Sequence, residues 1–315
     1  MMSSSSSSAI RYLLPDANGV AEIVLCRPKN ANALRPSDLY ELRDALKTLD
    51  ALNTEHAAPG RGPERREVRV CVLRGEGRNF CGGIDLLAAA ALFGYTPEQL
   101  TGTSEARTKA ADTSRNADAV CVGRERELLL ATILKMQAAI TAIEEVTFPV
   151  VACVQGACFG LGIDIISACD VVICEESTRF CVKEVDLAIT ADMGVLQRLP
   201  RLVGLSHARE LALTARIFSG SEAKMLGLVA ETVPTSTSRG DADTELQRRA
   251  AALAHTIATK PSIAVRGTKY ILNGRFGSNA SGTRNSLEKN ALLNAATMIS
   301  NQLEEKLRGG PKPRL

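Results

Sequence analysis

Short apolar runs alternate with longer amphipathic segments along the first two thirds of the chain. The runs are rich in Val, Ile, Leu and Cys, as buried parallel strands are, and the segments between them repeat apolar residues every three or four positions. The pattern predicts strands at residues 21–26, 68–73, 149–154 and 171–174, and helices at 37–50, 124–145 and just before 168. Because strands alternate with helices, we predict an α/β core with a mainly parallel sheet.

The pattern changes after Pro200, where helical spacing dominates. It predicts helices at residues 206–215, 222–227, 243–259, 261–273 and 286–307, and one short strand at 229–233. Six consecutive serines near the N-terminus form a low-complexity stretch. We therefore expect a disordered N-terminus over residues 1–15, a core over 16–200, a helical region over 201–309 and a flexible tail over 310–315.

Composition and charge exclude several classes of protein. The chain of 315 residues has a net charge of only +3, 3% aromatic residues and no Trp, which argues against a nucleic-acid partner. The uncharged run 146–163 contains a proline and three glycines, so it predicts a strand and a turn and not a membrane span. The nine cysteines include no CxxC pair, so we expect free thiols in a reducing compartment and no metal site.

Two glycine-bearing turns, at residues 80–86 and 156–164, each follow a predicted strand and precede a predicted helix. Glycine allows a tight turn there and leaves amide N–H groups exposed at a helix start, which is what binding an oxyanion requires. The second turn lacks the remaining residues of a dinucleotide-binding fingerprint. Taken alone, either turn is more typical of helix packing against a sheet than of a binding site.

Several carboxylates follow in an otherwise apolar stretch, namely Asp164, Asp170, Glu184, Asp186 and Asp192. A carboxylate is costly to bury, so each of these either faces water or is retained for chemistry. Asp170 directly precedes a strand and is typical of a turn or cap. In the company of the two glycine turns, the other acids become candidates for catalysis.

The ordered set of motifs resembles the enoyl-CoA hydratase/isomerase (crotonase) superfamily over roughly residues 18–275. The resemblance is carried by Leu25–Pro28 with Asn32–Leu34, Phe80–Leu86, Pro149–Asp170, Gly194–Arg201 and Ala208–Arg216. It implies a crotonase-like ββα spiral core with a helical C-terminal oligomerisation region. It also implies assembly as a homotrimer or as a hexamer, a dimer of trimers.

Within that superfamily, residues 183–200 most resemble the Δ3,5-Δ2,4-dienoyl-CoA isomerases. Glu184 follows Asp164 by 20 residues and Asp192 follows Glu184 by 8, which matches the three acids of that subfamily. The resemblance implies conversion of 3,5-dienoyl-CoA to 2,4-dienoyl-CoA in the β-oxidation of unsaturated fatty acids. It implies that Glu184 removes the proton from C2, that Asp192 delivers one at C6, and that Asp164 polarises or positions the site.

The resemblance also implies where acyl-CoA binds. The backbone N–H groups of Ile84 and of Leu161, which stands where the family usually has glycine, would form an oxyanion hole. The remaining residues expected to contact substrate or CoA are Arg27, Lys29, Ala31, Gly82, Gly83, Asp85, Leu86, Gly160 and Lys269. Lys269 is expected to reach a phosphate. No metal or redox cofactor is expected, because CoA is part of the substrate.

Alternatives remain open at this stage. The chain could be an enoyl-CoA hydratase, a Δ3-Δ2-enoyl-CoA isomerase, or a non-catalytic acyl-CoA-binding member of the superfamily. We expect an intracellular protein of a peroxisome-type organelle or a mitochondrion. The C-terminal Pro313-Arg314-Leu315 shares only the basic-Leu ending of the peroxisomal Ser-Lys-Leu signal, so it does not decide between them.

Overall fold

A computed structural model describes residues 8–56, 67–92, 122–235, 244–274, 287–292 and 294. Its strands are β1 (Ile10–Leu13), β2 (Val20–Leu25), β3 (Val70–Gly75), β4 (Val150–Val154), β5 (Ala157–Phe159), β6 (Val171–Glu175), β7 (Arg179–Cys181), β8 (Phe218–Ser219) and β9 (Glu231–Val233). Its helices are α1 (Pro36–His56), α2 (Leu86–Leu92), α3 (Val122–Glu145), α4 (Leu161–Ser167), α5 (Val195–Val203), α6 (Leu205–Thr214), α7 (Gly220–Leu226), α8 (Glu245–Ala258) and α9 (Ser262–Asn273). Short 3-10 helices lie at Pro28–Asn30 and Glu184–Leu187.

The main sheet has six strands in the order β1-β2-β3-β4-β6-β9. Only β1 runs antiparallel to its neighbour, and the other pairs are parallel. All five residues of β4 are buried, because one sheet face packs on the large core with α1 and α3 and the other packs against α8. Burial on both faces explains the unbroken apolar runs in the sequence and confirms the predicted α/β core.

A second, three-stranded sheet in the order β5-β7-β8 lies beside the main one and was not predicted. Its strands are two or three residues long. Alternation cannot be read over so short a span, which is why the sequence pattern missed them. The sheet matters for function because β5 lies within the second glycine turn and leads directly to Gly160 and α4.

The ends of the chain need one correction. The predicted disorder of residues 1–15 is wrong for Ile10–Leu13, which form β1, pair with β2 and bury Ile10 in the core. The helices predicted after Pro200 are confirmed as α6, α7, α8 and α9. Residues 57–66, most of 286–307 and the tail 310–315 lie outside the described residues, although 287–292 are helical. Within the described ranges, no helix is long and apolar enough to cross a membrane.

Candidate active site

The two glycine turns lie side by side. The Cys81 N–H donates to the Ala157 carbonyl at 3.1 Å, and the Phe159 N–H donates to the Cys81 carbonyl at 3.0 Å. Gly162 permits this approach, since a Cβ at that position would lie 3.1 Å from both Cys158 Sγ and Cys81 Cβ. Two segments far apart in sequence, which follow β3 and β4, are thereby fixed next to each other.

The first turn presents the main chain of Ile84. The Leu34 N–H donates to the Gly83 carbonyl at 2.9 Å, and the Asp85 N–H donates to the Leu34 carbonyl at 2.8 Å. These two bonds flank Ile84, whose own N–H has no acceptor among the described residues. Gly83 has a φ of 110°, a conformation that L side chains rarely adopt, so the turn requires glycine there.

The second turn presents Leu161, the first residue of α4. Gly160 precedes it with a φ of 48°, and the Gly160 N–H donates to the Cys181 carbonyl at 2.9 Å. Within the described part of the chain, the Leu161 N–H has no acceptor. The Leu161 side chain is 4% exposed and packs in the core, so leucine in place of glycine leaves the N–H available.

Asp164 lies one turn into α4 and is 1% exposed. Its Oδ1 accepts a hydrogen bond from the Val195 N–H at 2.7 Å, which ties α4 to the start of α5. Burial, followed by the nearby charge of Glu184, raises the pKa of Asp164 well above its ordinary value. The fold therefore favours the protonated form of this carboxyl.

Glu184 begins the second 3-10 helix and faces the Leu161 turn. Its Oε1 lies 3.4 Å from where a Cβ on Gly160 would stand. Its Oε2 is buried and is the one buried side-chain polar atom without a hydrogen-bond partner among the described residues. Burial, with a contribution from the charge of Asp192, raises the pKa of Glu184. An unpaired buried carboxylate oxygen is costly, which indicates a site for chemistry.

Asp192 completes the group of three acids. It lies between the 3-10 helix and α5, in a segment without regular structure. Desolvation raises its pKa, and its charge contributes to the raised pKa values of both Glu184 and Asp164. The three acids that the sequence placed 20 and 8 residues apart therefore lie within electrostatic reach of one another.

Four of the residues expected to contact CoA fall into two sets, one on the turn beside the first glycine turn and one joined in an ion pair. Lys29 is exposed in the first 3-10 helix, and the Ala31 carbonyl accepts from the Gly82 N–H at 2.8 Å, so this turn lies against the first glycine turn. Arg27 and Asp85 instead bind each other at 2.8 Å. Their pairing favours a role in shaping the turn.

Lys269 requires a correction, because the structure contradicts the prediction that it reaches a phosphate of CoA. It is 6% exposed, and its Nζ donates to the carbonyls of Ile143 at 3.0 Å and Phe148 at 2.8 Å. The same Nζ lies 2.9 Å from Asp170 Oδ2. With its donors satisfied inside the protein, the ammonium fixes α9 to the core.

The sequence motifs include Asn32 and Arg198 but predict no structural role for either. Asn32 is buried, and its Nδ2 donates to the carbonyls of Glu76 and Asn79 at 2.9 and 2.8 Å. Arg198 is also buried and pairs with Glu144 at 2.8 Å. Across the described ranges, no group of His, Cys, Asp and Glu side chains is arranged to hold a metal ion.

Comparison with known proteins agrees with this geometry. The model of the enoyl-CoA hydratase/isomerase family matches residues 119–305. The chain is 38% identical over 288 residues to the peroxisomal Δ3,5-Δ2,4-dienoyl-CoA isomerase of Arabidopsis thaliana, covering 91% of this chain and 88% of that protein. It is 32% identical over 290 residues to the mitochondrial enzyme of that name from Dictyostelium discoideum, covering 92% and 84%.

Solved structures give the same result for the fold. The enoyl-CoA hydratase of Bacillus anthracis superposes with a TM-score of 0.71 at 26% identity, covering 95% of each chain. A Thermobifida fusca YX protein solved in complex with acetoacetyl-CoA superposes with a TM-score of 0.66 at 26% identity, covering 92% of this chain and 95% of that one. With its crotonase fold, its paired glycine turns and this extent of sequence identity, the chain belongs to the enoyl-CoA hydratase/isomerase family.

Proposed function

We propose that this protein is a Δ3,5-Δ2,4-dienoyl-CoA isomerase acting in the β-oxidation of unsaturated fatty acids. The observation that carries the proposal is the Glu184 carboxylate, whose Oε2 is buried without a hydrogen-bond partner among the described residues and whose Oε1 faces Gly160. The charge of Asp192 lies within electrostatic reach of it. The similarity to two proteins of that name, from Arabidopsis thaliana and Dictyostelium discoideum, supports it.

The N–H groups of Ile84 and Leu161 donate hydrogen bonds to the thioester oxygen. Both groups lack acceptors within the described residues and belong to turns held by hydrogen bonds, so they require no reorganisation when charge develops. Loss of a C2 proton places negative charge on this oxygen. Each preorganised donor contributes on the order of 3–4 kcal/mol to stabilising that charge.

Two carboxylates then move the protons. Glu184 takes the C2 proton on its unpaired Oε2, and the electron pair left at C2 spreads through the diene to C6 and the thioester oxygen. Asp192, whose pKa is raised by desolvation, donates a proton to C6. The double bonds now lie at carbons 2 and 4, and solvent returns both acids to their starting protonation.

The state of Asp164 favours isomerisation over hydration. A hydratase needs two carboxylates that hold and activate a water molecule. Asp164 is buried, accepts from the Val195 N–H and is biased towards its protonated form. We assign it to positioning the start of α5, which it holds through the Val195 N–H.

Substitution of the two proton-transferring acids tests the proposal. In Glu184→Gln and Asp192→Asn, growth of 2,4-dienoyl thioester absorbance from 3,5-dienoyl-CoA should fall by about 10²–10⁴-fold, the usual contribution of a general acid or base. Binding of acyl-CoA should persist. Hydration of 2-enoyl-CoA by the wild type, with no isomerisation of the diene, would favour the hydratase instead.

The same chemistry bears on cofactors, assembly and compartment. Proton transfer with an oxyanion hole needs neither metal nor redox cofactor, so acyl-CoA is the small molecule we assign to the site. We also propose a homotrimer or a dimer of trimers. Peroxisome and mitochondrion are the proposed compartments, since the similar Arabidopsis and Dictyostelium proteins are named for them.

A further inference from the structure

The segment that carries Asp192, residues 190–194, is held by side chains. In the described part of the chain, the main-chain atoms of residues 190–193 make no hydrogen bond to another main-chain atom. Gln137 Nε2 donates to the Asp192 carbonyl at 2.6 Å, and Arg198 Nη1 donates to the Met193 carbonyl at 3.3 Å. We call residues 190–194 the acid loop.

Both donors are anchored on α3. Arg198 Nη2 donates to Thr141 Oγ1 at 3.2 Å and to Glu144 Oε2 at 2.8 Å, and its Nε donates to Glu144 Oε1 at 3.0 Å. Gln137, Thr141 and Glu144 are spaced by four and three residues, so they share one face of the helix. This face of α3 therefore holds the acid loop directly through Gln137 and indirectly through Arg198.

Gly194 provides an independent sign that this contact is built into the loop. A Cβ at this position would lie 1.8 Å from Arg198 Nη1. Gly194 has a φ of 117° and is the N-cap of α5. The residue after it, Val195, donates its N–H to Asp164 Oδ1. The absence of a side chain at Gly194 thus admits the guanidinium that fixes the loop.

We propose that Gln137 and Arg198 are positioning residues that hold Asp192 where it delivers its proton to C6. The inference rests on the proposed function. Glu184 is held separately, in the 3-10 helix that follows β7, and neither Gln137 nor Arg198 hydrogen-bonds to it among the described contacts. Loosening the acid loop therefore slows proton delivery at C6 and leaves proton removal at C2 intact.

The experiment measures these two proton transfers separately in D₂O. Formation of 2,4-dienoyl-CoA reports delivery at C6, whereas deuterium at C2 of recovered 3,5-dienoyl-CoA reports removal and return by Glu184. In Gln137→Met, which keeps the side-chain length but lacks the donor, isomerisation should fall by about 10–100-fold, the range expected for a misplaced reacting group. Exchange at C2 should stay within about twofold of wild type, because the oxyanion hole and Glu184 are untouched.

Two further variants make the result decisive. Lys135→Met introduces the same residue on the exposed side of α3, away from the acid loop, and should change neither rate. Arg198→Lys keeps the charge but cannot reproduce the guanidinium contacts, so it should show the same split as Gln137→Met.

Wild-type isomerisation in both Gln137→Met and Arg198→Lys, or an equal fall in isomerisation and exchange, would overturn the positioning role. A wild-type enzyme that exchanges C2 but forms no 2,4-dienoyl-CoA would instead overturn the proposed function.

Discussion

Lys269 allows a sharp prediction, because its ammonium is buried among three acceptors. Lys269→Met retains most of the apolar stem and removes only the charge and its hydrogen bonds. Two of these bonds go to the carbonyls of Ile143 and Phe148, and hydrogen bonds from a charged donor contribute about 1.5–3 kcal/mol each. The third acceptor, Asp170, would remain 14% exposed without its cation. We expect a loss of about 3–5 kcal/mol in the free energy of unfolding, as for other broken buried pairs.

Urea unfolding at pH 7 measures this loss, and steady-state kinetics on the folded variant measure KM for acyl-CoA. Lys260→Met is a matched control, since Lys260 is exposed just after α8 and its substitution should cost less than about 0.5 kcal/mol. Lys269→Met combined with Asp170→Asn should recover part of the stability, because no unpaired charge is left inside. Unchanged stability, together with a KM that is higher in Lys269→Met and responds less to salt than the wild-type KM, would refute this reasoning and restore a phosphate-binding role.

Two other predictions concern the pH dependence of stability and the assembly. The raised pKa of Asp164 means that this carboxyl binds its proton more tightly in the folded state than in the unfolded chain. The bound proton therefore stabilises the fold fully at low pH, and this contribution is lost as pH rises through the folded-state pKa. As pH is raised from about 4 to about 7, the free energy of unfolding of Asp164→Asn, measured by urea titration, should therefore fall less than that of the wild type. Identical pH profiles would contradict the raised pKa of Asp164. Light scattering should give a trimer or hexamer of the 33.6 kDa chain, and a monomer mass would exclude the proposed assembly.

The sequence predicts those elements whose hydrophobic pattern extends over enough residues to be recognised. Strand β4 was recognised by its unbroken apolar run, and helix α3 by apolar residues every three or four positions. The spacing of Asp164, Glu184 and Asp192, which matches the subfamily, identified the acids. The contacts of Lys269 could not be predicted, because its partners lie about 100 or more residues away, in α3, at Phe148 and at Asp170. Arg198 was missed for the same reason, since its partners on α3 are more than 50 residues distant.

The two halves of the active site are encoded in different ways. The proposed oxyanion hole uses main-chain N–H groups at Ile84 and Leu161, which every residue but proline would supply in the same backbone geometry. The acids are side chains carried by other parts of the chain. Mutation can therefore exchange one carboxylate for another, or remove it, without rebuilding the hole. Related proteins with this fold can therefore evolve a different reaction while they keep the same main-chain binding of the thioester oxygen.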